Sequence, residues 1–251
     1  MITVKEQLAV QSFGYNRYLP IGRPEIVAEN LERWGADEIV VLSIDRKNQG
    51  LGPDLKLIEK IAHHTSSTPL IYGGGIRSLE DALSVIEAGV ERICIDSLLR
   101  DNQPIIHAIS SYIGAQALIG SLPLLSSDAE LLWYNYENAT SSIICDEVLQ
   151  LFSKNVVSEA LIIDFINEGC RNSFDLSLIE RFPKDDIPLI AFGGISEPKQ
   201  IEDLISHRQV CAVCVGNFLN YKEHSIQYLK NNLSSQMPIR PPLFQDSYTS
   251  F

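Results

Sequence analysis

Two glycine-rich stretches of this sequence combine residue types that suit phosphate binding. The first reads PLIYGGGI at residues 69–76, and the second reads PLIAFGGI at residues 188–195. Glycine lets backbone N–H groups approach a ligand closely, and the positive N-terminus of a following helix attracts an anion. We therefore predict that four glycines contact phosphate, namely Gly74, Gly75, Gly193 and Gly194.

The next apolar run after each glycine stretch ends in residues that would complete the same kind of site. The first run ends in IDS, with Asp96 and Ser97, and the second ends in VGN, with Gly216 and Asn217. A polar side chain and a backbone N–H at these points would complete two anion-binding cups. The predicted ligand is then elongated, with an anion at each end. The alternative is that the glycines only form tight turns.

The glycine turns lie between apolar and amphipathic segments, which alternate along the chain. Stretches such as 52–64, 78–89 and 198–206 have apolar residues at helical spacing, and Ser78 and Ser196 stand where helix N-caps belong. The alternation predicts parallel strands joined by helices, and the less regular region 123–150 predicts a hairpin before its helix. The predicted buried strands lie at 38–44, 68–74, 92–97, 117–122, 159–165, 187–193 and 210–216.

Similar segments recur at a constant distance along the chain. DLKLIEK at 54–60 matches DLSLIER at 175–181, and the two glycine stretches are separated by nearly the same interval, about 120 residues. An interval near half of the chain length indicates two similar halves, each with room for about four βα units. We therefore predict an α/β fold, a (βα)8 TIM barrel built from two half-barrels. A doubly wound open sheet is the alternative, but it does not explain equivalent halves.

Composition and charge limit the classes of partner. The chain has 251 residues, 45% of them hydrophobic, and a formal net charge of −12, which argues against nucleic acid and anionic membranes as partners. We identify no apolar run near the ~20 residues of a membrane helix and no signal peptide, so we expect a cytoplasmic protein. The five cysteines are scattered, and the pair Cys211 and Cys214 lies in a predicted strand. We therefore expect no metal site and no cofactor.

Three stretches of the sequence resemble a known family over residues 3 to 230. GADEIVVLSID (35–45), PLIYGGGIRSLEDALSVIEAGVERICIDS (69–97) and IPLIAFGGISEPKQIEDL (187–204) are similar to the cyclase subunit of imidazole glycerol phosphate synthase, HisF, and to its sister isomerase HisA. Further stretches resemble a HisF-like branch that works with a glutaminase and an amidotransferase in making amidino sugars for bacterial surface polysaccharides. These are RYLPIG, GLGPDLKLI, GGGIRS and GNFLNYKEH.

The resemblance implies that the two ends of the barrel have different functions. A HisH-like glutaminase docks at the bottom, and ammonia passes through the barrel to a phosphate-bearing small molecule at the top. It also implies an N-sugar amidotransferase as a further partner and a shortened first strand. We expect one barrel over residues 1–232 and a Pro-rich extension over residues 233–251.

The carboxylates that the cyclase uses for proton transfer are mostly replaced in this chain. Thr3, Ser43 and Pro123 stand at three of the matching positions, although Asp45 follows two residues after the second. Glu168 is the one carboxylate that matches. The catalytic candidates are therefore Glu168, Ser43 and Asp45. Losing several groups that act together reduces a rate by orders of magnitude, so the sequence leaves open whether the chain is an enzyme.

The resemblance also identifies a ring of charged residues that closes the ammonia entrance. Glu38, Arg92 and Glu159 match three members of this ring. Opposite charges in a constriction pair with one another, and they exclude water while a small neutral molecule passes. The alternative is that they are ordinary solvated charges at strand ends.

Three functions follow from these observations. The first is a HisF-like synthase subunit of a glutamine amidotransferase complex, which passes ammonia to a phosphorylated or nucleotide-linked acceptor, a sugar. The second is a genuine cyclase subunit in histidine biosynthesis. The third is a non-catalytic scaffold that binds a phosphate ligand.

Overall fold

The strands and helices of the chain alternate along most of its length. The computed structural model describes residues 1–127, 130–220, 224–233 and 239–240. The strands are β1 (Ile2–Lys5), β2 (Leu8–Phe13), β3 (Arg17–Gly22), β4 (Ile39–Ser43), β5 (Leu70–Gly73), β6 (Arg92–Ile95), β7 (Leu118–Ser126), β8 (Leu131–Asn135), β9 (Thr140–Ser142), β10 (Glu159–Asp164), β11 (Leu189–Phe192) and β12 (Val210–Cys214). The helices are α1 (Pro24–Arg33), α2 (Leu55–His64), α3 (Leu79–Glu87), α4 (Ser97–Asp101), α5 (Gln103–Ile113), α6 (Asp146–Ser153), α7 (Ser177–Glu180), α8 (Pro198–Ser206) and α9 (Ser225–Asn231).

The described part of the chain contains eight parallel strands, and each is followed by at least one helix. They lie in the order β1, β4, β5, β6, β7, β10, β11 and β12, and each strand pairs with its neighbour in this order. This sheet confirms the predicted (βα)8 barrel. The hairpin β8–β9 lies between β7 and α6, as the irregular region predicted, and a second hairpin, β2–β3, lies between β1 and α1.

The ends of the sheet meet through single contacts rather than a continuous ladder in the described residues. β1 is four residues long, as are β5, β6 and β11. The Met1 ammonium donates to the carbonyl oxygen of Val215 at 2.7 Å. Asn217 exchanges two hydrogen bonds with the backbone of Ser12. These contacts join the region after β12 to β1 and β2.

Alternation along the strands divides the core into two layers. Side chains such as Val41 and Ile162 pack outward in the large cluster that also contains the helices. Their neighbours in sequence, such as Leu42 and Ile163, belong to a smaller cluster inside the barrel. Because both faces are buried, the strands read as continuous apolar runs, which explains why they could be predicted.

Elements that lie about 120 residues apart in the two halves have the same lengths. β5 and β11 are both four residues long, and α3 and α8 are both nine residues long. Ser78 caps α3 by accepting a hydrogen bond from the Asp81 N–H, as predicted. The predicted cap at Ser196 is wrong, because Glu197 precedes α8 and the Ser196 hydroxyl instead accepts from the Asn172 N–H at 2.9 Å.

Only part of the predicted extension, residues 233–251, is described. Arg240 donates to the carbonyl oxygens of Ala36 at 3.1 Å and Ser67 at 3.3 Å. These loops precede β4 and β5, so Arg240 lies at the end of the barrel where the strands begin. Residues 234–238 and 241–251 lie outside the described residues, and the division of the chain at residue 232 stays a prediction.

Candidate functional site

A cavity of about 520 Å³ opens at the end of the barrel where the strands finish. Its lining contains residues of the neighbouring strands β4 to β7, including Leu42, Gly73, Cys94 and Ser121. Catalytic and binding sites of TIM barrels lie at this end, because the loops that follow the strands converge there. The cavity is the candidate functional site.

The first predicted cup borders this cavity. Gly74 and Gly75 line it and have φ angles of 131° and 74°. A Cβ atom on Gly74 would lie 2.3 Å from the Ser43 carbonyl oxygen, and one on Gly75 would lie 2.6 Å from the Gly52 carbonyl. Glycine is therefore required at both positions by conformation and by close packing of the preceding loop.

The second predicted cup repeats this backbone geometry but does not border the cavity. Gly193 and Gly194 have φ angles of 111° and 65°, and a Cβ atom on Gly194 would lie 2.4 Å from the Ser173 hydroxyl. Neither glycine lines the cavity, nor does Gly216 or Asn217. The Asn217 side chain already holds the Ser12 backbone, accepting from its N–H at 3.2 Å and donating to its carbonyl at 2.5 Å. The two cups are thus similar in turn geometry and different in surroundings.

Asp96 and Ser97 lie together at the edge of the cavity, at the junction of β6 and α4. Desolvation raises the pKa of Asp96 to about 6, while the nearby Arg100 and Lys47 act in the opposite direction. Arg100 itself is held over the Trp133 ring, 3.2 Å from its centroid. A carboxylic group that titrates near neutrality in a cavity can accept or donate a proton.

The three predicted catalytic residues lie in different surroundings. Ser43 lines the cavity, and its buried hydroxyl lacks a well-formed hydrogen bond to any described residue. Asp45 is not among the lining residues, and its carboxylate accepts from the Glu6 N–H at 2.8 Å and from the Gln49 side chain.

Glu168 is buried beneath the hairpin β2–β3 and is also absent from the cavity lining. Its carboxylate accepts from the Ser12 hydroxyl at 3.0 Å and from the Tyr15 N–H at 3.2 Å. Burial raises the pKa of Glu168, and these hydrogen bonds oppose the shift. The geometry gives Glu168 a role in holding the hairpin.

Four aromatic rings form one side of the cavity, and sequence reasoning missed them. Tyr134 stacks on Phe165 with ring centroids 3.9 Å apart, Tyr136 meets both rings edge-on, and Tyr15 contacts Tyr136 at 5.3 Å. We call these four residues the aromatic wall. The signal in the sequence is WYNYEN at 133–138, an aromatic-rich segment inside the irregular region for which the sequence predicts a hairpin.

The predicted gate residues meet at the opposite end of the barrel. Arg92, the first residue of β6, forms an ion pair with Glu159, the first residue of β10. It also lies 3.7 Å from Glu38, measured between Nη1 and Oε2. Burial raises the pKa of Glu38, and the Arg92 guanidinium acts in the opposite direction. The three side chains therefore form one cluster beneath the barrel interior.

The described residues contain no cluster of three or more His, Cys, Asp or Glu side chains suited to holding a metal ion. None of their helices is long and apolar enough to cross a membrane.

Comparison with known proteins places these features in a family context. Residues 4–225 match the profile of the family described as Histidine biosynthesis protein. A putative imidazole glycerol phosphate synthase subunit HisF from Leptospira interrogans is 29% identical over 215 residues, covering 84% of this chain and 83% of the relative. A putative subunit named hisF2 from Vibrio vulnificus is 28% identical, covering 89% and 83%. The HisF subunit of an Exiguobacterium species is 25% identical, covering 95% and 94%.

Proposed function

Since the chain belongs to the histidine biosynthesis protein family and is HisF-like, we propose that it is the synthase subunit of a glutamine amidotransferase complex. A HisH-like glutaminase docks where the strands begin and releases ammonia into the barrel. The ammonia reaches a phosphorylated or nucleotide-linked sugar in the cavity where the strands finish. An N-sugar amidotransferase is a further partner of this complex.

One observation carries this proposal, the position of two sites at opposite ends of a single barrel. The cavity with the Gly74–Gly75 turn lies at one end, and the Glu38–Arg92–Glu159 cluster lies at the other. Between them the barrel interior is apolar, with side chains such as Leu42, Ile119 and Leu161. An apolar interior favours the neutral ammonia molecule over the ammonium ion, because transfer of a charge from water to an apolar interior is costly.

Co-expression with a HisH-like glutaminase from the same organism tests the proposal. We expect the two proteins to co-purify and glutamine hydrolysis to rise by at least about fivefold, the lower range of coupling between sites. Glutaminase mixed with an equal concentration of serum albumin is the control. Hydrolysis that stays at the level of the isolated glutaminase would contradict the proposal.

A genuine cyclase subunit is the second candidate, and the names of the HisF relatives favour it. The positions of its carboxylates oppose it, because Thr3, Ser43 and Pro123 have no carboxylate. Glu168 is engaged with the hairpin β2–β3. We expect the chain not to restore growth without histidine to a cyclase-deficient strain. Restored growth would establish the cyclase instead.

A non-catalytic scaffold that binds a phosphate ligand is the third candidate. A scaffold would bind its ligand in the same cavity as a synthase subunit or a cyclase subunit, so ligand binding does not distinguish the three functions. A scaffold would leave the glutaminase unstimulated and would form no aminated product. Ligand binding with both of these negative results would favour the scaffold.

A further inference from the structure

The cavity has features that distinguish its ligand from the elongated molecule with two anions that the paired glycine turns predicted. Only the first cup borders it, because Gly74 and Gly75 line the cavity and no residue of the second cup does. A ligand in this cavity therefore meets one glycine turn.

The charge of the lining also limits the number of anions. Among the described residues, the lining contains two cationic side chains, Lys47 and Arg100, and two acidic ones, Asp96 and Glu137. Lys47 already pairs with Asp101 and Glu137. This balanced set leaves little excess positive charge for two phosphate groups, which carry about −1.5 to −2 charges each.

A buried hydroxyl without a partner belongs to a residue of the cavity lining. The Tyr15 hydroxyl is buried, and the described residues offer it no hydrogen-bond partner. The Asp96 carboxylate lines the cavity, and its pKa is influenced by desolvation and by charges rather than by hydrogen bonds. Buried polar groups are normally paired, so the Tyr15 hydroxyl indicates a polar ligand, and the Asp96 carboxylate can accept hydrogen bonds from the same ligand.

The aromatic wall supplies the apolar part of the site. Tyr134, Tyr136, Phe165 and Tyr15 all line the cavity. The C–H bonds on the face of a sugar ring pack against aromatic rings, while its hydroxyls need carboxylate and hydroxyl partners. Ligand sites combine such apolar surfaces with a few placed polar groups.

We propose that the cavity binds one sugar ring that carries a single phosphate group. The ring packs against the aromatic wall, its hydroxyls donate to Asp96, and its phosphate meets the Gly74–Gly75 turn. This inference rests on the proposed function in treating the cavity as the acceptor site. It changes the role assigned to Asp96, which binds the sugar and repels phosphate rather than completing a phosphate cup. It also makes Asn217 a structural residue.

Calorimetry with the isolated chain tests this assignment. The probes are N-acetylglucosamine 1-phosphate, glucosamine 6-phosphate and glucose 1-phosphate, with the free sugars, inorganic phosphate, uridine monophosphate and fructose 1,6-bisphosphate for comparison. We expect at least one sugar monophosphate to bind about tenfold or more tightly than its free sugar, inorganic phosphate and uridine monophosphate. We expect the bisphosphate to bind no more tightly than the best monophosphate. Equal or weaker binding of all three sugar phosphates, or tightest binding of the bisphosphate or the nucleotide, would overturn the assignment.

Two pairs of variants locate the ligand. Asp96→Asn should weaken sugar phosphate binding by about tenfold, as expected for losing a charged hydrogen-bond acceptor, and leave inorganic phosphate binding equal or tighter. Asp185→Asn, at an exposed carboxylate, is the matched control. Phe165→Leu should weaken the sugar phosphate, whereas Ile166→Ala, at a neighbour that is 61% exposed, should not. Asp96→Asn that tightens both ligands equally would overturn the sugar contact.

These measurements need no glutaminase, so their failure is separate from failure of the proposed function. A chain that stimulates a glutaminase but prefers bisphosphates would keep the proposed function and lose the single-ring ligand. Urea unfolding of each variant confirms that it is folded before its binding is interpreted.

Discussion

At the residue scale, Asp96 links the chemistry of the cavity to the stability of the protein. Desolvation raises its pKa from 3.8 to about 6, so the folded chain holds a proton that the unfolded chain releases. Stability therefore falls as the pH rises from about 4 to about 6 and then stays constant. Asparagine at this position resembles the protonated carboxyl at every pH.

We predict that Asp96→Asn raises the free energy of unfolding at pH 8 by up to about 3 kcal/mol, the equivalent of a shift of roughly two pKa units. As the pH falls towards about 3 the stabilities of the variant and the original chain should converge, because Asp96 is then protonated in both states. Urea unfolding at several pH values measures the difference. Asp185→Asn should change little, and an Asp96→Asn difference that does not vary with pH would contradict the assigned shift.

Glu168 shows how a residue assigned from a resemblance acquires a different role in the structure. Its carboxylate accepts from Ser12 and Tyr15, and its backbone carbonyl accepts from Gly14 at 2.9 Å. The sequence could predict a carboxylate after the sixth barrel strand. It could not predict the hairpin β2–β3 that covers this carboxylate, because that contact joins residues more than 150 positions apart.

Glu168→Ala should lower the free energy of unfolding by about 1–3 kcal/mol, because it leaves buried donors without an acceptor. The amide of Tyr15 should exchange with solvent faster, since its hydrogen bond to the carboxylate is lost. Urea unfolding and hydrogen exchange measure the two effects. Glu180→Ala, at an exposed position, is the control, and unchanged exchange at Tyr15 would contradict the role in holding the hairpin.

At the scale of elements, the two glycine turns show most clearly that the halves of the barrel are similar. In each half, the turn packs against the end of the preceding strand and the loop that follows that strand. Gly74 meets Ser43 as Gly193 meets Asp164, and Gly75 meets Gly52 as Gly194 meets Ser173. The glycines of these turns therefore have a structural role in addition to any contact with a ligand.

Gly75→Ala and Gly194→Ala should therefore destabilise the chain more than a glycine substitution elsewhere with a similar φ. Gly114 has a φ of 87°, and no atom lies within 4 Å of a Cβ added to it. Gly114→Ala should cost about 1 kcal/mol, for backbone conformation alone. The two turn variants should cost about 2 kcal/mol or more, because they add steric overlap. Thermal or urea unfolding compares them, and equal losses at all three positions would show that packing is unimportant.

The elements differ in how well their sequence predicts them. The barrel strands are apolar on both faces and repeat at a fixed interval, so their number and order could be predicted. The aromatic wall could not, because Tyr134 and Tyr136 lie on a hairpin and its turn, while Phe165 follows β10. The different surroundings of the two cups could not be predicted from the sequence either, because Asn217 donates a hydrogen bond to the backbone of Ser12, a residue of the other half.

At the scale of the whole molecule, the charged cluster and the cavity lie at opposite ends of the barrel. Arg92 pairs with Glu159 and lies close to Glu38 at the proposed ammonia entrance. Arg92→Ala should leave sugar phosphate affinity within about twofold, because no phosphate contact is changed. It should lower the amount of product formed per glutamine hydrolysed, because the entrance becomes accessible to water. Arg208→Ala, at an exposed position, is the control, and unchanged yield in Arg92→Ala would contradict the gate.

The most direct measurement of ammonia transfer through the barrel follows the isotope of the transferred nitrogen. The chain, mixed with the proposed HisH-like glutaminase, receives glutamine labelled with 15N in the amide group, an excess of unlabelled ammonium, and a pool of sugar phosphates and nucleotide sugars from the source cells. Mass spectrometry then identifies the aminated product. We predict that the product carries 15N from glutamine despite the unlabelled ammonium in solution. A product that carries the unlabelled nitrogen, or glutamine hydrolysis with no aminated product, would contradict transfer through the barrel.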